Sequence, residues 1–347
     1  VDDSGGVTFA KSPSTPADQS IGVMNGLGRL AEVLGTDLAA LLSQTTRIVH
    51  GTTVATNALL ERKGATVGLL TTEGHRGILE MREGLKPDRY NMRMPRAEPL
   101  IPRDRRLGVR ERIRPVGSIE IPLDPGSVAA AIETLKAKGA NSIAICYLHG
   151  YKDAVHERAT AEMVRAAMPD VYVCLSSDVF PQIKEYERVS TTAVNAYVGP
   201  ALDLYLSRLE RRLVEAGYKG PVLIILSHGG VAPIAEAIRL AAATVLSGPA
   251  GGVAGARYAS RLMQAPNLIP FDMGGTSTDI SLIAGGEATL SADRGIADQR
   301  IALQALDIAS IGAGGGSLAS VDPGGLLKVG PESAGADPGP ACYGRGG

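Results

Sequence analysis

Between Ser20 and Leu34 the apolar residues Ile21, Met24, Leu27, Leu30, Ala31 and Leu34 recur at steps of three and four. This spacing predicts a helix with one buried face, and Gly35 stops it. The same spacing returns over Pro125 to Lys138, over His156 to Met168, and over Gln182 to Glu215, where Gly199 and Pro200 predict an interruption. Between the helices lie short apolar runs of strand length at Arg47 to Val49, Thr66 to Leu70, Ser142 to Leu148, Val171 to Leu175 and Val222 to Leu226. Strand and helix alternate with glycine stops, which predicts right-handed crossovers onto a largely parallel sheet in an α/β fold. A further strand is predicted at Val7 to Ala10, after the turn signal Asp2 to Gly6. A hairpin needs two strands, so the chain is expected to start mid-fold, and it stops in a loop at Gly347. The long, interrupted helical stretch suits a bridge, placing a boundary near Asn195 between domains 1–195 and 196–347.

One stretch departs from both periods. Leu268, Ile269 and Phe271 lead into Asp272, Met273, Gly274, Gly275, Thr276, Ser277, Thr278 and Asp279, and a strand pattern resumes at Ile280. It reads as a β-hairpin whose turn holds phosphate. Gly274 and Gly275 can take the positive φ that aims successive N–H groups at one anion, and Thr276, Ser277 and Thr278 add hydroxyl donors. Asp272 and Asp279 repel an anion, so they point to a divalent cation or a polarised water beside it. An ordinary Gly-Gly hairpin with solvated aspartates is the structural alternative.

Three further segments carry polar or glycine-rich turns. A strand ends at His50-Gly51, and Thr52 or Thr53 can cap a following helix, so that His50, Thr52, Thr53 and Asn57 either line a site or satisfy a turn. Ser247 to Gly252 allows close approach of a helix or a ligand. The run Gly312, Ala313, Gly314, Gly315, Gly316, Ser317 has no large side chain, so its backbone amides suit phosphate or ribose contact. The arginine- and proline-rich arm from Gly84 to Pro122 reads as a solvated face or a subunit contact.

Composition narrows the function classes. Lys+Arg 35 against Asp+Glu 36 leaves a net charge of -1, which argues against nucleic acid or an anionic membrane as partner. Aromatic residues make up 4% with no Trp, so a base-stacking platform is excluded as well. No apolar run is long enough to span a bilayer, and Cys146, Cys174 and Cys342 show no metal-ligand spacing. They read as reduced thiols of a cytoplasmic protein.

Taken in order, His50 to Asn57, Ser247 to Gly252, Phe271 to Asp279, Asp307 to Ser317 and Gly330 to Gly347 closely resemble the hydantoinase A/5-oxoprolinase family, which includes N-methylhydantoinases, 5-oxoprolinases, lactamases and acetone or acetophenone carboxylase subunits. The resemblance implies an actin-like, sugar-kinase-like fold of two ribonuclease-H-like domains around a nucleotide cleft. It implies one phosphate hairpin per domain, with the first expected just before Val1 and Asp272 to Asp279 matching the second, and a glycine-rich segment beyond Gly347. It further implies ATP with Mg2+ (or Mn2+), and phosphorylation of a hydantoin, 5-oxoproline or lactam oxygen. A hydantoinase B-type partner subunit is implied too. Gly274, Gly275, Thr276, Ser277 and Thr278 are then expected at phosphate, and Asp272 and Asp279 at the metal. Gly312, Gly314, Gly315 and Gly316 are expected at the nucleotide. His50 becomes a catalytic candidate, with Thr52, Thr53 and Asn57 on the substrate side. Ketone carboxylation is the rival activity within the family. A nucleotide-binding module without turnover is a rival of another class.

Overall fold

A computed structural model describes all residues except 14, 16, 85–89, 95–97, 276, 293 and 336–337, and residue 294 only by its backbone. The chain forms two compact units, the first of residues 1–224, 231–245 and 292–303, the second of 225–230, 246–291 and 304–347. The halves 1–195 and 196–347 are therefore not the compact units.

In chain order the first unit holds α1 (Gln19–Val33), β1 (Ile48–His50), α2 (Val54–Leu60), β2 (Val67–Thr72), β3 (Arg106–Val109), α3 (Pro125–Ala137), β4 (Ser142–Cys146), α4 (Val155–Ala167), β5 (Tyr172–Leu175) and α5 (Glu185–Glu215). Strand β6 (Val222–Ile225) follows and pairs in parallel with β1, His50 opposite Ile224. Val7 to Ala10 forms no strand, because no segment among the described residues pairs with it. The expected parallel sheet is present in the order β3-β2-β4-β5. Every residue of β2 and β4 is buried, as a parallel sheet covered on both faces requires. Its core packs Leu70, Ile143, Ile145 and Leu175 against Val128, Ile132 and Leu135 of α3 and Val164 of α4. Helix α3 starts where Asp124 accepts from the Gly126 amide at 3.0 Å and carries Pro125 at its first position.

Helix α5 runs unbroken through Pro200, contrary to the expected interruption. A proline lacks the N–H that would reach the carbonyl of residue 196. The buried Ser142 hydroxyl donates to that Ala196 carbonyl instead, at 2.7 Å, and the Ala65 amide donates to the next one, Tyr197, at 2.9 Å. Gly199 serves packing: a Cβ there would lie 2.4 Å from the Tyr172 ring of β5.

The second unit contains α6 (Ser247–Leu262), β7 (Phe271–Met273), β8 (Thr278–Ser281), β9 (Ile308–Ile311), β10 (Ser317–Val321) and β11 (Leu327–Ser333). Strands β7, β8 and β9 form an antiparallel sheet in that order, and β10 pairs with β11. Ala250 and Val253 of α6 form a small core with Ile283 and Leu306.

Candidate functional site

The hairpin expected from sequence is β7 and β8, and its register is what makes a site. Phe271 lies opposite Ile280, Asp272 opposite Asp279, and Met273 opposite Thr278. Directly opposed residues project from the same face of a pair, so the two carboxylates stand side by side, and like charges so placed repel. No lysine, arginine or histidine pairs with either among the described residues. One relief is built in. Ser310 of β9, opposite Asp279 in the next ladder, donates its hydroxyl to Asp279 Oδ1 at 2.6 Å.

Both aspartates line a cavity of about 230 Å3 with Phe271, Pro249, Gly252 and Val253. Gly252 keeps the wall of α6 thin there, since a Cβ would lie 3.9 Å from Asp272 Oδ2. The small residues of Ser247 to Gly252 thus allow close approach, as expected, and make the first turns of α6 one side of the cavity. Two carboxylates beside an open cavity fit a Mg2+ that completes its shell with water and phosphate oxygens. They do not make an all-protein metal cage, and no cluster of three or more His, Cys, Asp and Glu suited to a metal occurs among the described residues.

The turn corrects two expectations. Neither Gly274 nor Gly275 takes a positive φ; the turn closes through the Gly274 amide, which donates to the Ser277 carbonyl at 2.9 Å. Thr278 is buried and donates its hydroxyl to the Ala313 carbonyl at 2.6 Å, so it braces the turn and is not offered to phosphate. Thr276 lies outside the described residues.

The four-glycine loop is a clamp with its amides engaged. Gly314 N–H donates to the Ser317 hydroxyl at 2.8 Å, Gly315 N–H to the Gly274 carbonyl at 2.9 Å, and Gly316 N–H to the Gly275 carbonyl at 2.7 Å. With its carbonyls held from behind, the hairpin turn has a fixed shape. Gly312 abuts Pro331, whose Cβ would be 3.3 Å from an added Cβ.

In the first unit the four residues from His50 to Asn57 separate into two pairs. His50 Nε2 lies 2.6 Å from the Tyr205 hydroxyl of α5, which also bonds the buried Thr52 side chain. Thr52 Oγ1 accepts from the Val54 amide at 3.2 Å, while Thr53 stands at the cap position without a side-chain cap bond. Thr53 and Asn57 are exposed and bond each other at 3.3 Å. Burial lowers the His50 pKa to about 4, so its imidazole is neutral at physiological pH and ties β1 to α5.

That burial has a sign. Unfolded His50 takes up a proton near pH 6.5 and the folded form does so only near pH 4, so its contribution is full above the first value and is lost as pH falls toward the second. Wild type is expected to lose up to about 3 kcal/mol between pH 7 and pH 4 that the His50→Phe variant does not lose. Denaturant midpoints of the two proteins across that range check this; parallel curves would refute it.

With the geometry in place, comparison with known proteins decides the family. A model described as Hydantoinase/oxoprolinase matches residues 188–347, and one described as Hydantoinase/oxoprolinase N-terminal region matches residues 1–168. The chain belongs to the hydantoinase/oxoprolinase family. Its relatives include the caprolactamase subunit alpha of Pseudomonas jessenii, 41% identical over all of this chain and 50% of that protein. The acetophenone carboxylase gamma subunit of Aromatoleum aromaticum is 35% identical over 98% of this chain and 48% of its own length. Among solved structures, the ATP-dependent caprolactamase of Pseudomonas jessenii superposes with a TM-score of 0.87 over 100% of this chain and 50% of that one. A nucleotide-free acetone carboxylase gives 0.82 at 32% identity, over 94% and 48% of the two chains. The α/β fold, of the actin-like class, is thus that of this hydantoinase/oxoprolinase family, and the chain spans about half the length of these relatives.

Ser310 and Tyr205 are the residues whose roles sequence reasoning missed. The first depends on strand register and the second on a contact 155 residues away.

Proposed function

We propose that this chain is the ATP-using part of a cytoplasmic enzyme that opens a cyclic amide (a hydantoin, 5-oxoproline or a lactam) by phosphorylating its oxygen. The observation that carries this reading is the pair of unneutralised carboxylates, Asp272 opposite Asp279, beside a cavity under a clamped glycine turn. The similarity to an ATP-dependent caprolactamase supports the substrate class.

In this mechanism the amides of Gly275 and Ser277, with the Thr276 side chain, hold the phosphates of ATP, and Gly274, whose amide closes the turn, shapes the cradle. Asp272 and Asp279 hold Mg2+ (or Mn2+), which supplies positive charge against the phosphate oxygens. Ser310 orients Asp279, and the loop of Gly312 and Gly314 to Gly316 fixes the turn and borders the nucleotide. The amide oxygen forms a bond to the γ-phosphorus as the bond from that phosphorus to the β–γ bridging oxygen breaks, and ADP leaves. Water then adds to the activated carbon, the C–N bond of that tetrahedral adduct breaks as the ring nitrogen takes a proton, and a second water cleaves the resulting acyl phosphate to carboxylate and phosphate. Such transfer needs positioning and charge neutralisation more than covalent help. Thr53 and Asn57 are assigned to the substrate side, and a hydantoinase B-type subunit is the proposed partner.

The test uses the full-length protein with its partner subunit. ATP turnover stimulated by hydantoins or lactams is the expected result. Stimulation by aryl ketones with bicarbonate instead would assign the chain to ketone carboxylation, and nucleotide binding without any stimulated turnover would make it a non-catalytic module.

A further inference from the structure

The two-stranded ribbon of β10 and β11 has one face that no described residue covers. Val321 lies opposite Leu327 and Ala319 opposite Val329, so these four apolar side chains project from the same face. Ser320, opposite Lys328, projects from the other, where the Lys328 ammonium lies 3.8 Å from Asp322. Leu318 falls at the shift of register between Ser317 and Ala319 and belongs to neither row. The apolar face is open: Val321 is 68% exposed, Leu327 71% and Val329 53%, and Ala319 is exposed as well. The turn between the strands is closed by Asp322, which accepts from the Gly324 and Leu326 amides at 2.9 and 3.0 Å and so fixes the register that sorts the side chains.

A ribbon of two strands is marginal in water and needs a further layer on its apolar face. Regular strands that sort apolar from polar residues, and leave the apolar row in the open, mark a surface that something else covers. The relatives that this chain matches are about twice as long as the part matched: it covers 50% of the caprolactamase subunit alpha and 48% of the acetophenone carboxylase gamma subunit. A segment on the same polypeptide meets the ribbon at a high effective concentration. A row without charge suits such a permanent contact, since obligate interfaces are the more hydrophobic ones.

The ribbon grows directly out of the glycine clamp. Ser317, the first residue of β10, accepts from the Gly314 amide, and beyond β11 the Ala334 amide donates to the Gly316 carbonyl at 2.8 Å, with the Ser333 hydroxyl on the same carbonyl at 3.2 Å. Gly315 and Gly316 in turn hold the carbonyls of Gly274 and Gly275. We propose that in the full-length protein the polypeptide outside residues 1–347 packs on the face of Ala319, Val321, Leu327 and Val329, and that by fixing the ribbon it fixes the clamp and the turn the clamp holds. The docking stands by itself; its consequence for nucleotide rests on the phosphate-site reading above.

Thiol labelling of the full-length protein tests it, read by mass spectrometry at the introduced site. Val321→Cys and Leu327→Cys are expected to react with a maleimide at least about tenfold more slowly than Ser320→Cys and Lys328→Cys, since only the first pair is covered. Equal rates on the two faces overturn the proposal. Protection that appears only on adding the partner subunit, or only on raising the protein concentration, overturns it as well, because the face then belongs to another subunit or to a second copy. The link to the clamp is read without nucleotide. Val321→Lys, with Ser320→Lys as its control, is expected to speed hydrogen exchange at the Gly314 to Gly316 amides by about tenfold and to weaken MgADP binding. Unchanged exchange removes the link. Face-selective labelling in a wild-type protein that binds no MgADP sinks the phosphate-site reading and upholds the docking.

Discussion

Asp272→Asn is expected to lower ATP turnover by about a hundredfold or more while leaving the fold intact. Asparagine keeps the shape of the side chain and removes its charge, so one of the two carboxylates facing the cavity no longer attracts a divalent cation. The structural cost is small because Asp272 is exposed on a strand at the sheet edge and has no protein partner among the described residues. Removing one of two opposed like charges is instead expected to stabilise the nucleotide-free protein slightly, by about 0.2–1 kcal/mol. Steady-state ATPase assays beside denaturant unfolding separate the two effects. Wild-type turnover in the variant would remove Asp272 from the site, and a large drop in stability would make the aspartate structural.

Gly314→Val is expected to cost the second unit about 2–3 kcal/mol and to weaken nucleotide binding in parallel. A Cβ at this position would lie 2.6 Å from the Gly274 carbonyl oxygen and 2.9 Å from both Gly275 C and Ser277 N. All three are backbone atoms of the turn, and a backbone turn cannot step aside as a side-chain tip can. Relief requires the loop to lift away, which breaks the bonds from Gly315 and Gly316 to the turn. Gly255→Ala in α6, where an added Cβ meets nothing within 4 Å, is the matched control and should be neutral or mildly stabilising. Thermal unfolding and MgADP titration of both variants check the pair. If Gly314→Val binds MgADP normally, the loop does not shape the turn.

The contrast between these two residues shows what was legible in the chain. The aspartates and glycines of the hairpin are local signals, close in sequence, and so could be read as a site before any fold was known. The role of Gly314 could not, because its neighbour is a turn some forty residues earlier; a glycine that looks like an open amide proves to be a contact. The α/β alternation was legible for the same local reason, with helix stops such as Gly139, whose φ of 67° suits glycine. Pro200 misled because the hydroxyl that replaces its missing N–H comes from Ser142, on a strand. The surroundings of His50 were not legible either, because they are set by the distant Tyr205, and burial rather than any neighbouring motif decides its charge.

The order of residues in the first unit bears on how the protein is made. Its last contribution, 292–303, is translated after the hairpin strands of the second unit. That segment supplies the Arg300 carbonyl that accepts from the Ser190 hydroxyl at 2.8 Å and the Ala302 amide that donates to the Thr191 hydroxyl at 2.9 Å, both on α5. A nascent chain emerging from the ribosome therefore cannot finish the first unit before the whole Asp272–Asp279 hairpin has left the tunnel. The contacts that complete the first unit are thus among the later ones to form during synthesis.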